Sequence, residues 1–154
     1  MTDRPIIFSP PMILALLAGR KTMTRRLAWH LTADSPVKEA DGSMTFPQSL
    51  KPTIWQKVCT GDRLWVKTGR FGRRDESTIT LIVTATRIER LQDISDEEAR
   101  AEGVTVVEGG LRPSEAFIQL WCHLHGDDAW QSNPEVVAIT FRVIKAGIDT
   151  LEAT

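Results

Sequence analysis

The chain lacks any apolar run long enough to cross a bilayer. Its longest, Met12–Ala18, is seven residues, against the roughly 18 that a spanning helix needs. That run also lacks the layout of a signal peptide, so a cytoplasmic protein with no membrane partner is expected. Cysteine is scarce. Cys59 and Cys122 are too few for a disulfide framework and stand in no metal-type pair, so both read as reduced, partly buried small residues. Histidine is not spaced as a metal set: His123 and His125 lie two apart near a helix end with no third ligand beside them, and His30 is remote, so no metal and no cofactor are expected. Surplus charge is missing too. Nineteen Lys and Arg against 20 Asp and Glu give a net −1, which excludes a protein that coats nucleic acid through basicity alone. No internal repeat, coiled coil or low-complexity segment is present. What remains is ordinary globular composition, 42% hydrophobic and 25% charged in 154 residues, enough for one domain that buries about two-thirds of its unfolded surface.

The charge is unevenly placed. Residues 1–30 hold five Lys and Arg against one Asp, and residues 61–75 hold five against two, whereas Asp93, Asp96, Glu97, Glu98 and Glu102 face Arg100 alone in 93–102. The densest cluster lies at the end of Ser9–Arg26, where Arg20, Lys21, Thr22, Thr24, Arg25 and Arg26 fall within seven residues after an apolar segment. Cations and hydroxyls at a helix end suit an anionic or carbonyl-bearing ligand.

Local patterns set out the elements. Arg4–Phe8 is a short extended segment. Ser9 is a good N-cap, Pro10 fits the first helical position, and Gly19 fits the left-handed residue after the helix end. Met12, Ile13, Leu14, Leu16 and Leu17 make that helix apolar on most sides, which predicts deep burial. Lys21–Leu27 reads as extended. Residues 30–53, rich in Asp, Ser, Gly and Pro, form a long loop with a short hairpin about Asp41-Gly42. Gly61-Asp62 is a turn. Arg63–Lys67 alternates Leu64 and Val66 against Trp65, and Thr78–Leu91 and Val136–Ile144 are further strands. Ser95 with Glu98 forms a capping box for a helix that stops at Gly103, and Phe117, Leu120, Trp121 and Leu124 mark another over Pro113–Leu124. The class is α+β: one domain over 1–146, with a loose tail at 147–154. The sequence leaves the oligomeric state open, with a monomer or weak dimer the expectation.

The order of signals resembles the ASCH domain, a relative of the PUA fold. The resemblance rests on Gly19-x-Lys21-Thr22-x-Thr24-x-Arg26, Gly61-Asp62-x-Leu64, the strand at Val83-Thr84 and Ala99-x-x-Glu102, and extends from Pro5 to about Lys145. It implies a small β-barrel of about five to six strands flanked by two to three helices, with a cleft between them. Ser9–Arg26, Phe117–Leu120–Trp121 and Trp130–Asn133–Pro134 look most like the bacterial and phage branch. Gly69-Arg70-Phe71 and Val83-Thr84-Ala85-Thr86 are similar to the members that remove the acyl group from N4-acetylcytidine. Their catalytic roles fall by residue type on Lys21, Thr24 and Glu102. The chain departs from the family in its 30–53 segment. It also carries Lys67, Thr68, Gly69 and Arg70 where phage-type relatives have an acidic Arg-Glu-Thr-Trp stretch.

Amide hydrolysis needs a nucleophile, a base and donors for the oxyanion. Thr24 supplies a hydroxyl. Lys21 serves as base once burial and Arg20, Arg25 and Arg26 bring its pKa down, and Glu102 orients or shuttles a proton. In a regular strand alternation would hold Lys21 and Thr24 on opposite faces, so this chemistry requires a turn or bulge after Gly19. Arg20, Arg26, Arg63, Trp65, Lys67, Arg70 and Phe71 are the candidate contacts to a nucleoside or RNA. A non-catalytic or nuclease-type module is the alternative, with arginines including Arg73 and Arg74 on phosphate and Trp65 or Phe71 stacked on a base. A phage or prophage interaction protein without catalysis is the third reading. Trp121 and Trp130 read as core.

Overall fold

The computed structural model describes residues 1–151. In chain order its elements are β1 Asp3–Ile7, α1 Pro10–Leu17, β2 Met23–Leu27, β3 Trp29–Ala33, β4 Val37–Lys38, β5 Met44–Thr45, β6 Gln48–Pro52, β7 Arg63–Lys67, β8 Thr80–Arg90, α2 Asp96–Ala101, α3 Pro113–His125 and β9 Glu135–Ile144. Five strands form one sheet in the order β1-β7-β8-β9-β2; β1 and β7 run parallel, and every other neighbouring pair is antiparallel. The α+β class and the strand number agree with expectation, but among the described residues the ladder does not close into a barrel. Its open edges, β1 and β2, are joined in sequence by α1, and a side chain bridges them: Arg26 Nη2 donates to Ile7 O at 2.9 Å. A bulge between Val83 and Ala85 shifts the β8–β9 register midway along the sheet, where the added residue bends and twists the strand.

Alternation explains the larger core. Leu64 and Val66 are buried on one face of β7 while Trp65 is only half-buried, and Ile6, Leu16, Leu81, Val83, Ile139 and Phe141 pack with them. A second cluster joins Leu91, Ile94, Ala99 and Val104 to Phe117, Trp121 and Val136, seating α2 and α3 on the far end of the sheet. The carboxylate of Asp62, the acid of the expected turn, is buried and accepts the Thr2 and Cys59 N–H groups at 2.9 Å each, so its role is to hold the turn before β7.

Four expectations change. Residues 30–53 hold the hairpin about Asp41-Gly42, where β4 pairs with β5 and Gly42 adopts φ 87°, but the rest is not loop: β3 pairs with β6, and the whole makes a β-arm. The arm escapes a periodicity search because neither face enters a core. Leu31 and Leu50 lie opposite each other and are both exposed, as is Phe46. Helix α1 is not buried all round; Ala15 and Leu16 are buried, but Leu14 is 65% exposed, because the sheet covers one face and none of the described residues covers the other. The segment expected as a tail at 147–154 includes a 3-10 turn over Ile148–Thr150, with Ile148 buried and Asp149 paired to Arg74; residues 152–154 lie outside the described ones. Cys59 is exposed. Among the described residues no helix is long and apolar enough to cross a membrane.

Leu81 is fully buried between the inner strands. Leu81→Ala is expected to lower the unfolding free energy by about 2–5 kcal/mol. In urea the midpoint should fall with an unchanged m-value; a shift worth under about 1 kcal/mol would contradict this packing.

Candidate active site

The backbone after α1 settles the relation of Lys21 to Thr24. Gly19 adopts φ 78°, a conformation that suits a residue without Cβ, and the N–H groups of Arg20 and Lys21 both donate to Ala15 O at 3.0 and 3.1 Å. The strand starts only at Met23, two residues later than expected, so Lys21 belongs to the turn and is exempt from the alternation of β2. Thr22 stitches the turn to its surroundings, donating to Ala101 O at 2.8 Å and accepting from Phe141 N–H at 3.1 Å.

Lys21, Thr24 and Glu102 line one cleft of about 690 Å³. All three are buried. Lys21 Nζ donates to Glu102 O at 2.7 Å, to Met23 O at 3.0 Å and to Glu102 Oε2 at 3.3 Å, which occupies every proton of the ammonium. Glu102 is the C-cap of α2, so Lys21 caps the carbonyl end of that helix with a positive charge while pairing with its last carboxylate. Burial pushes the Lys21 pKa down; Glu102 opposes this, and Arg26 and Arg25 reinforce it. Thr24 lines the same cleft, and among the described residues its side chain has no hydrogen bond to Lys21.

Arg25 and Arg26 leave β2 in different directions. Arg25 turns toward α2 and β8, bonding Glu102 Oε1 at 3.0 Å, Glu89 Oε1 at 2.8 Å and Glu98 Oε2 at 3.0 Å. Arg26 lies between the Phe8 and Trp55 rings, at 5.1 and 5.3 Å from their centroids. Burial lowers its pKa to about 10, so it remains a cation at neutral pH. The opposite wall comes from α3: Phe117, Leu120, Trp121, Leu124 and His125. Trp121 is therefore both core and cleft wall, and His125 stacks on it with ring centroids 4.2 Å apart. Burial and the Arg26 charge lower the His125 pKa.

Of the seven other candidate contacts, only Arg26 lines this cleft. Arg20 donates to Gly103 O at 3.1 Å outside it. Arg63 forms a two-pronged pair with Asp3, at 2.8 and 2.7 Å, near the sheet's edge. Lys67 Nζ sits over Trp65 at 5.5 Å and borders a separate, smaller hollow with Arg73 and Glu76. Arg70 lies over Phe71, whose ring is 88% exposed. Sequence reasoning missed Arg25, Glu89 and Glu98 as a unit, although the acidic run at 93–102 signalled a demand for buried cations. It also missed Trp55 and the α3 wall, whose apolar spacing is the same whether a residue faces a core or a cleft. Among the described residues no group of three or more His, Cys, Asp or Glu is arranged to hold a metal ion.

No protein-family model matches the sequence, and no curated protein does. Solved structures do resemble it. Hypothetical protein PH0355 superposes with a TM-score of 0.56 at 14% identity over 93% of this chain and 100% of that one. Protein EF3133 of Enterococcus faecalis V583, described as a DUF984 member, gives 0.53 at 15% identity over 97% of this chain and 80% of that one. An ASCH domain from Lactobacillus crispatus JV V101 gives 0.49 at 13% identity over 92% and 79%. At these identities the first two establish a shared fold.

Gly103 follows Glu102 at φ 94°, and a Cβ there would lie 3.0 Å from Lys21 Cβ and 3.1 Å from Ala15 Cβ. Gly103→Ala should cost about 1–3 kcal/mol of stability in chemical denaturation. A variant as stable as the parent would show that the Lys21 turn is not held as described.

Proposed function

We propose that the chain is an ASCH-type hydrolase that removes the acyl group from an N4-acylated cytidine, with N4-acetylcytidine the simplest substrate. The observation that carries this reading is the meeting of Lys21, Thr24 and Glu102 on one cleft, made possible by the turn that releases Lys21 from the strand.

In this mechanism Thr24 Oγ1 attacks the acyl carbonyl carbon while neutral Lys21 takes the hydroxyl proton. The tetrahedral intermediate collapses with cleavage of the C–N4 bond, and Lys21 returns its proton to the departing amine. Water, deprotonated by the same lysine, then cleaves the acyl-threonine ester and releases the carboxylic acid. The two carbonyls that hold Lys21, Met23 O and Glu102 O, still accept from the two N–H bonds of the neutral amine; its lone pair takes the direction now facing Glu102 Oε2, so the amine turns toward Thr24 for the proton transfer. Burial lowers the Lys21 pKa and favours the neutral base; Glu102 limits that effect and keeps the amine in place. Arg26, held by Ile7 O and two aromatic rings, presents a fixed positive charge to the carbonyl oxygen or to the base edge. The apolar wall of α3 suits a planar ring or an acyl group.

An extended single strand has less support as the ligand. Arg63 and Arg74 are committed to Asp3 and Asp149, and Arg73 pairs with Asp75, which neutralises much of the surface that phosphates would need.

Purified protein incubated with N4-acetylcytidine should release cytidine and acetate. Lys21→Ala and Thr24→Ala should each lower kcat/KM about a hundredfold or more. The rate should rise with pH as Lys21 loses its proton, with the limb below the ordinary lysine range. Absence of turnover across a panel of acylated nucleosides overturns the reading.

A further inference from the structure

Arg25 is the most enclosed charge in the molecule's candidate site. Its side chain is 0% exposed and holds three carboxylates at once, one from β8 and two from α2. Arg87 grips two of those carboxylates from outside, bonding Glu89 Oε2 at 2.9 Å and also pairing with Glu98. Glu89 and Glu98 are thereby pinned from both sides. Arg25 cannot follow either of them away from Glu102 without breaking two further ion pairs. The Glu102 carboxylate is divided: Oε1 belongs to Arg25 and Oε2 to Lys21. Among the described residues Arg25 makes no hydrogen bond to Lys21, so its influence on the amine passes through Glu102 or through space.

We propose that Arg25 is a positioning residue: it fixes the Glu102 carboxylate so that one oxygen alone faces Lys21, and Glu89, Glu98 and Arg87 form the frame that keeps Arg25 in that position. Its consequence for turnover rests on the hydrolase reading above; its consequence for the amine does not. Three carboxylates stand against Arg25, Arg26 and Arg87, so the proton on Lys21 adds a fourth positive charge to the set. Removal of Arg25 leaves surplus negative charge beside the amine and strengthens its hold on the proton. Removal of the Glu98 charge does the reverse, because Arg25 then leans more fully on Glu102. The other groups facing Lys21 are Arg26 from β2, the uncharged Phe8 ring at 5.3 Å and, beyond Arg26, His125 from α3.

The test is a pH titration of the Lys21 side chain by 13C-resolved NMR, its signal assigned by loss in Lys21→Arg. Wild type, Arg25→Gln and Glu98→Gln are compared, and thermal melts verify folding. Arg25→Gln should raise the Lys21 midpoint by about one pH unit, and Glu98→Gln should lower it. Where turnover of N4-acetylcytidine is measurable, the rising limb of kcat/KM should move in the same two directions. Midpoints equal to wild type in both variants, or moved in the same direction, overturn the proposal and leave Arg25 a structural ion. If Arg25→Gln does not fold, the sign of the Glu98→Gln shift decides alone. Opposite shifts without turnover in any protein overturn the hydrolase reading while the positioning role stands.

Discussion

The divided carboxylate of Glu102 is the interaction on which the arrangement depends. It closes α2 against the turn after α1, and it gives two buried cations, Lys21 and Arg25, a common counter-ion. Charges removed from water are costly unless paired and fully hydrogen-bonded, and breaking one partner of such a set is worse than never having buried it. The chain meets that condition almost completely: Lys21 uses all three protons, and of the Arg25 guanidinium only Nε lacks a partner. Every element that contributes a charge is also fixed by backbone bonds or core packing. The network is a constraint on where α2 may sit as much as a source of stability.

That constraint explains why a cleft exists at all. The sheet is open between β1 and β2, and the gap is spanned by the Arg26 side chain rather than by a strand. With α2 tied to β2 by charge and α3 tied to α2 by the second apolar cluster, a space remains between the edge of the sheet and the inner face of α3. Its floor is cationic and hydroxylic and its far wall aromatic. Such a division suits a ligand with one carbonyl-bearing end and one flat or apolar end.

Much of the fold was legible because its signals are local or periodic. The capping box at Ser95 and Glu98, the alternation of Leu64 and Val66, and the spacing of Phe117, Leu120 and Trp121 each fix an element by its own chemistry. What escaped depends on absence of contact or on distance. The arm at 29–52 forms strands without a buried face, so it leaves no period-2 trace. The exposure of Leu14 follows from nothing packing over α1, which no property of α1 itself reveals. For the site, residue types at positions 21, 24 and 102 led to one cleft, while the candidate contacts at Arg63, Arg70 and Phe71 are spread elsewhere because the same composition also builds surface ion pairs and cation–π contacts. Arg25 was passed over as one cation among several; only the fold distinguishes it, by bringing Glu89 and Glu98 to it from 64 and 73 residues away.

The arm has a consequence for how the chain tolerates change. It departs after Ala28 and returns at Thr53, whose N–H donates to Ala28 O at 2.9 Å, while Gln56 reaches the same carbonyl from the next turn. Departure and return are thus clasped at a single buried residue. Whatever length of chain lies between them, Trp55 is delivered to the cleft in the same place, because the clasp and not the arm sets its position. Lengthening a closed excursion adds little entropy cost. The arm is a module whose size can change through insertion and deletion while the cleft beneath it stays in register.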